Sequence, residues 1–114
     1  MILDAPEARA LIASGLAEYR AGRYWHAHEH WERVWSRLAD AERHWVQGLI
    51  LITAAAWHLE RRHERVARRL LALAAERLDG CTGLPGVEAA AKLARLAREA
   101  AVAPLVEIPP LRLD

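Results

Sequence analysis

The chain has 114 residues, of which 54% are hydrophobic and 27% are charged, and its formal net charge is +1. This length predicts one domain, and the composition is typical of a folded globular protein rather than a disordered one. A net charge so close to zero gives the molecule no strong general attraction to nucleic acid or to an anionic membrane.

The first predicted helix covers residues 6–20. Asp4 is expected to cap it, while Pro6 fits the first helical position and Glu7 fits the capping-box position. Gly22 follows the helix and predicts its end, because glycine readily adopts the left-handed conformation that closes helices.

Three more helices are predicted in the next part of the chain. Their apolar periodicity covers about 23–38, 40–62 and 64–79, with Asp40 as the expected cap of the second of these. After the loop Gly-Cys-Thr-Gly, Pro85 is expected to open a fifth, alanine-rich helix.

The end of the chain differs from the rest in composition. Pro104, Pro109 and Pro110 prevent a regular helix, so residues 104–114 are predicted as an extended tail and residues 1–103 as the helical domain. No segment alternates with period two. The sequence therefore predicts an all-α, single-domain bundle of about five helices with a central helical hairpin and antiparallel neighbours.

The most informative segment is WHAHEHWERVWSRLA, which starts at Trp25. At about 100° per residue, Trp31, Trp35 and Leu38 form an apolar stripe, with His28 inside it and Glu32 at its edge. Ionisable groups on a buried stripe need partners, because leaving one unpaired costs about 1–3 kcal/mol. A buried indole N–H also needs an acceptor, and Glu32 is the candidate.

The third predicted helix presents polar groups from an apolar side as well. Gln47 and His58 share one face, because eleven residues bring an α-helix back to nearly the same direction. If the two helices are antiparallel, only one of these side chains lies level with His28 and Glu32. We favour His58 as that partner, with Gln47 and Trp35 as supporting ligand-binding residues.

Two functions are open for this cluster. His28, Glu32 and His58 form a sound ligand set for a divalent transition metal with open positions for water or substrate, and the same cluster could bind a small ligand. The alternative is a hydrogen-bonded network that only fixes helix packing. Whether the protein is an enzyme is left open.

Other candidate sites are weaker. His28-Glu29 begins like the zinc-protease pattern H-E-x-x-H, but Glu32 stands where the second histidine should be. Residues 61–69 carry five arginines and one glutamate without interleaved aromatics, which favours a solvated helix face over a nucleic-acid surface.

The chain resembles a known family. The run YRAGRYWHAHEHWERVW, followed by Gln-Gly-Leu-Ile from Gln47 and Ala-Ala-Trp-His-Leu ending at Leu59, is similar to the small prokaryotic family catalogued as domain of unknown function 309. The resemblance covers about residues 10–75 and implies an α-helical hairpin. It assigns no activity. Where such proteins typically have a Gly-Asn turn after the His-bearing helix, this chain has Arg61-Arg62-His63-Glu64.

By this resemblance, the characteristic positions of that family include every residue of the predicted cluster. They are His28, Glu29, Glu32, Trp35, Gln47 and His58.

A different class of function is a non-enzymatic protein-interaction scaffold. Small and aromatic residues at 15, 22, 24, 27 and 31 are similar to those of a single tetratricopeptide-type helical pair. A compact pair of this kind can hold a partner helix or peptide in a groove. The alanine-rich fifth helix and the proline-rich tail could support a homodimer.

The location of the protein is predicted from three features. Cys81 is the only cysteine and cannot form an intrachain disulfide, which favours a reducing compartment. The first residues do not have the pattern of a signal peptide, and the apolar stretch 48–59 is too short to cross a bilayer. We therefore expect a cytoplasmic protein with no membrane partner.

Overall fold

A computed structural model describes residues 5–79 and residue 95. At residues 40 and 41 it describes the backbone but not the side chains. Within residues 5–79 the chain forms four α-helices: α1 (Pro6–Arg20), α2 (Tyr24–Trp35), α3 (Asp40–Glu60) and α4 (Glu64–Asp79). The all-α prediction is confirmed for this part of the chain. The predicted fifth helix and the tail at 104–114 lie outside the described residues.

Both predicted aspartate caps need correction. Pro6 does occupy the first turn of α1, but the N-cap residue is Ala5 rather than Asp4. Asp40 is already the first residue of α3, with Ala39 before it as the N-cap. Proline at the first position supports the start of α1, and packing of the apolar faces supports the starts of both helices without a side-chain cap.

The second helix is shorter than predicted. It ends at Trp35, whereas the apolar stripe predicted an end near Leu38. The N–H groups of Arg37 and Leu38 donate to the carbonyls three residues earlier, at 3.0 Å each. These tighter bonds close the helix, and Leu38 is still buried.

Helices that follow one another in the chain pack against one another. Connections of only three or four residues force the chain to reverse after each helix, so α1 and α2 form a first hairpin and α3 and α4 form a second. The predicted contact between α2 and α3 joins the two hairpins. The core runs through all four helices, and its largest fully buried side chains include Trp31, Trp45, Leu49 and Leu71.

A glycine on α1 brings the first hairpin together. A Cβ atom at Gly15 would lie 2.1 Å from Nε1 of Trp31, so the indole of α2 occupies space that any side chain would fill. The same Nε1 donates a 3.1 Å hydrogen bond to the carbonyl of Ile12. Trp31 is therefore fully buried with its polar atom satisfied.

The second hairpin has a similar close approach. A Cβ atom at Gly48 on α3 would lie 2.5 Å from Cγ of Leu78 on α4. Leu78 is buried, so its branched side chain fills the notch that the glycine leaves. Each hairpin thus places a large side chain of its second helix over a glycine of its first.

Both hairpins also have the same type of turn. After α1, the N–H of Gly22 donates to the Tyr19 carbonyl and the N–H of Arg23 donates to the Glu18 carbonyl, both at 2.9 Å. This 6→1 and 5→2 pair of bonds is the Schellman motif, which needs a left-handed residue. Gly22 provides it with a φ of 79°.

At the end of α3 the corresponding residue is not a glycine. Arg62 has a φ of 61°, and its N–H donates to the Leu59 carbonyl at 3.0 Å. The N–H of His63 donates to the His58 carbonyl at 2.9 Å. The left-handed conformation is unfavourable for arginine, so this turn is locally strained.

Candidate functional site

A pocket of about 110 Å³ lies between the start of α2 and the end of α3. Its walls are three aromatic rings, two imidazoles and two small side chains. They are Tyr24, Trp25, His28, Thr53, Ala54, Trp57 and His58.

Helical spacing explains how these residues meet. Tyr24, Trp25 and His28 lie within one turn of each other on α2, and Trp57 and His58 occupy the last turn of α3. Because the chain reverses between the two helices, the start of α2 lies beside the end of α3. The small side chains at 53 and 54 leave the space that the rings enclose.

His28 has the most distinctive polar environment in the pocket. The indole of Trp25 stacks on its imidazole, with centroids 5.4 Å apart and planes 11° apart. Its Nε2 lies 3.5 Å from Oε1 of Glu32, whereas its Nδ1 is buried without a hydrogen-bond partner among the described residues. A buried nitrogen of this kind can orient a bound molecule through one hydrogen bond.

The other wall of the pocket is held by contacts at the end of α3. The ring of Trp57 meets that of His58 edge to face, with centroids 5.0 Å apart. The guanidinium of Arg61 lies 3.6 Å from the centroid of the Trp57 ring and donates to the Trp57 carbonyl at 3.0 Å. These contacts restrict the indole and leave less conformational freedom to lose on binding.

Tyr24 adds a neutral hydroxyl to the pocket wall. Burial raises the pKa of Tyr24, and the negative charge of Glu60 raises it further. Both causes disfavour the phenolate. At neutral pH the side chain is therefore a phenol that can both donate and accept a hydrogen bond.

The structure separates the predicted site residues into two groups. His28 and His58 line the same pocket, whereas Glu32, Trp35 and Gln47 do not. The ring of Trp35 instead packs under the guanidinium of Arg43, 4.1 Å from its centroid.

The expectation of a buried acid is wrong, because 54% of the Glu32 side chain is exposed. Glu32 lies at the edge of the α2 stripe, one turn beyond His28, and there it faces solvent. Nor does it accept from the most buried indole of α2, since Trp31 donates to the Ile12 carbonyl on α1.

The predicted metal ligands are not assembled into a metal centre. Among the residues that the structure describes, no group of three histidine, cysteine, aspartate or glutamate side chains could hold a metal ion. His28, Glu32 and His58 are therefore not a three-ligand site here.

Sequence reasoning missed the other five pocket residues, among them all three aromatic rings. Tyr24 and Trp57 are not among the residues that the sequence predicts for this site. Trp25 lies outside the apolar stripe of α2, and 58% of it is exposed. The spacing of Tyr24, Trp25 and His28 places them on one side of α2, and this could have indicated the site. It indicates a pocket only when α3 is known to cover that side of α2.

No helix within the described part of the chain is both long and apolar enough to span a bilayer.

Comparison with known proteins identifies the family. The family model described as Domain of unknown function (DUF309) matches residues 12–70. No curated protein and no solved structure matches the chain. The matched segment covers more than half of the chain and includes all seven pocket residues, and the chain belongs to this family.

Proposed function

Because the family's description assigns no activity, we propose a function from the geometry: the pocket between α2 and α3 binds a small organic molecule. The ligand is about the size of one aromatic ring, largely apolar, and carries one hydrogen-bonding group. This role is binding, and no catalytic step is assigned to it.

The observation that supports this proposal is the composition of one cavity. Two imidazoles and three aromatic rings surround it, and a buried nitrogen of His28 has no partner among the described residues. Small-molecule sites are typically apolar clefts with a few polar groups that fix orientation. An engineered apolar cavity of about 150 Å³ holds benzene, so a pocket of about 110 Å³ that is open on one side suits a single ring.

Phenol and toluene are a suitable pair of probes, because they differ by one hydrogen-bonding group. We expect phenol to shift the indole N–H signals of Trp25 and Trp57 in ¹H–¹⁵N spectra at millimolar concentration, and to bind more tightly than toluene. One hydrogen bond contributes about 0.5–1.5 kcal/mol, which corresponds to a preference of roughly two- to twelvefold.

Two variants test whether His28 provides that hydrogen bond. His28→Ala should reduce the preference for phenol over toluene, whereas His44→Ala should leave it unchanged because His44 is exposed on α3 outside the pocket. The proposal fails if neither probe shifts the two indoles, or if His28→Ala retains the full preference.

The second candidate is the non-enzymatic interaction scaffold. The observation that favours it is the exposed indole of Trp25 at the pocket rim, because exposed tryptophans often anchor protein interfaces. In this role an apolar side chain of a partner enters the pocket. Selection from a displayed peptide library should then yield peptides that bind the wild-type chain and not Trp25→Ala, while phenol competes with them.

A further inference from the structure

A pair of imidazole nitrogens lies at the end of α3, at the edge of the pocket. Nδ1 of His58 and Nδ1 of His63 are 3.1 Å apart, and the two ring centroids are 5.4 Å apart. Without a metal ion, this distance allows one imidazole to donate its Nδ1 proton to the other.

The backbone of the turn sets this spacing. The N–H of His63 donates to the carbonyl of His58 at 2.9 Å, which is the 6→1 bond of the Schellman motif. Arg62 lies between them in the left-handed conformation. The two histidines are therefore held together by the turn rather than by side-chain contact alone, and this reduces the entropy lost when both bind one ligand.

The distance also suits two ligands of one metal ion. Imidazole nitrogens bind Zn²⁺ at about 2.0–2.1 Å, so two of them at a separation of 3.1 Å subtend an angle of roughly 100° at the metal. This angle is between the square-planar and tetrahedral values of about 90° and 109°. Each ring would have to turn so that its Nδ1 lone pair points at the metal rather than at the other nitrogen.

We propose that His58 and His63 form a two-histidine site for a divalent transition-metal ion of the imidazole-preferring class, such as Zn²⁺ or Cu²⁺. Water or small donors complete the coordination, which agrees with the absence of any three-ligand group among residues 5–79. The site differs from the predicted set of His28, Glu32 and His58, and it does not depend on a ligand in the pocket.

Titration of the untagged full chain with Zn²⁺ alone tests the site. We expect one equivalent of Zn²⁺ to shift the Nδ1 resonances of His58 and His63 together in long-range ¹H–¹⁵N spectra of the histidine rings. Calorimetry should show that His63→Gln weakens this binding at least tenfold, because losing even an outer-shell partner typically costs about 10–100-fold in affinity. His63 is exposed, so this variant should keep the wild-type circular dichroism spectrum.

The matched control is His26→Gln. His26, which is exposed, and His30, which is half-buried, lie one turn apart on α2 and are a second histidine pair that can also bind metal ions. Under the proposal, His26→Gln leaves the tightest Zn²⁺ site unchanged. The proposal is overturned if His26→Gln removes that site, or if His63→Gln binds Zn²⁺ as tightly as the wild type.

Discussion

The two helical hairpins follow one plan but complete it with different residues. Each ends its first helix in a Schellman turn and packs a large side chain over a glycine. The first hairpin uses Gly22 in its turn and a rigid indole in its notch. The second uses Arg62 in its turn and the more flexible Leu78 in its notch.

This difference concerns backbone strain beside the proposed metal site, since both hairpins contribute residues to the proposed binding pocket. In the first hairpin the turn is unstrained and the hydrogen bond of Trp31 is satisfied inside the core. In the second, a residue in an unfavourable conformation lies directly beside the His58 and His63 pair. Local backbone strain tends to occur at functional sites, and this turn is next to both proposed sites.

The largest effect is expected from Gly15→Ala. The added methyl group would clash with the buried ring of Trp31 and disturb its hydrogen bond to the Ile12 carbonyl. Overpacking and the disturbed bond outweigh the gain in helix propensity, so we expect a loss of about 2–4 kcal/mol. Urea denaturation measures it. The exposed neighbour Ser14→Ala is the control and should change stability by less than about 0.5 kcal/mol.

Gly48→Ala should destabilise the protein less, by about 1–2 kcal/mol. The atoms that the methyl group meets belong to Leu78, whose side chain can change rotamer near the end of α4, whereas an indole ring is rigid. Urea denaturation of both alanine variants under the same conditions checks the order. A larger loss at Gly48 than at Gly15 would show that the second notch is the more rigid of the two.

The sequence predicts the positions of the helices better than it predicts which helix each side chain contacts. The glycine and proline signals and the apolar periodicity placed all four described helices, and the range predicted for α4 agrees with the structure. They could not show that the side chains of α2 divide between two partners. Trp31 faces α1, whereas His28 faces α3, so one predicted stripe serves two surfaces.

The same limit explains the errors at the candidate site. Helical spacing correctly indicated that His28 and Glu32 are neighbours, and their 3.5 Å contact is present. It could not show that Glu32 remains in solvent, because exposure depends on where α3 crosses α2. The contribution of Trp25 likewise became visible only once α3 completed the pocket.

The two turns predict a reciprocal pair of substitutions. Arg62→Gly should stabilise the protein by about 1 kcal/mol, because glycine adopts a positive φ without the steric cost that arginine has. Gly22→Arg should destabilise it by a similar amount, since it gives the first turn the strain of the second. Thermal and urea unfolding measure both. If the two substitutions change the stability in the same direction, then contacts of the arginine side chain, and not the backbone conformation, determine the stability of the turns.

The smallest effect is expected at alkaline pH and belongs to the first hairpin. Tyr19 lies just before the first turn, at the position that Leu59 has before the second turn. Burial raises the pKa of Tyr19 well above the ordinary value for tyrosine. The contribution of this raised pKa to the free energy of unfolding is fully present at neutral pH. It is lost as the pH rises above about 10, because there tyrosine ionises in the unfolded chain. Near pH 10.5 the loss is about 0.8 kcal/mol.

Tyr19→Phe isolates this contribution. The variant cannot ionise at residue 19, so its stability should fall less steeply than that of the wild type between pH 9 and 10.5, as measured by urea denaturation at each pH. Tyr24 is the matched comparison, because it contacts Tyr19 with ring centroids 5.2 Å apart but is less buried. Tyr24→Phe should change the slope less. Equal slopes for the wild type and Tyr19→Phe would mean that the pKa of Tyr19 is the same in the native and the unfolded chain, and would contradict the prediction.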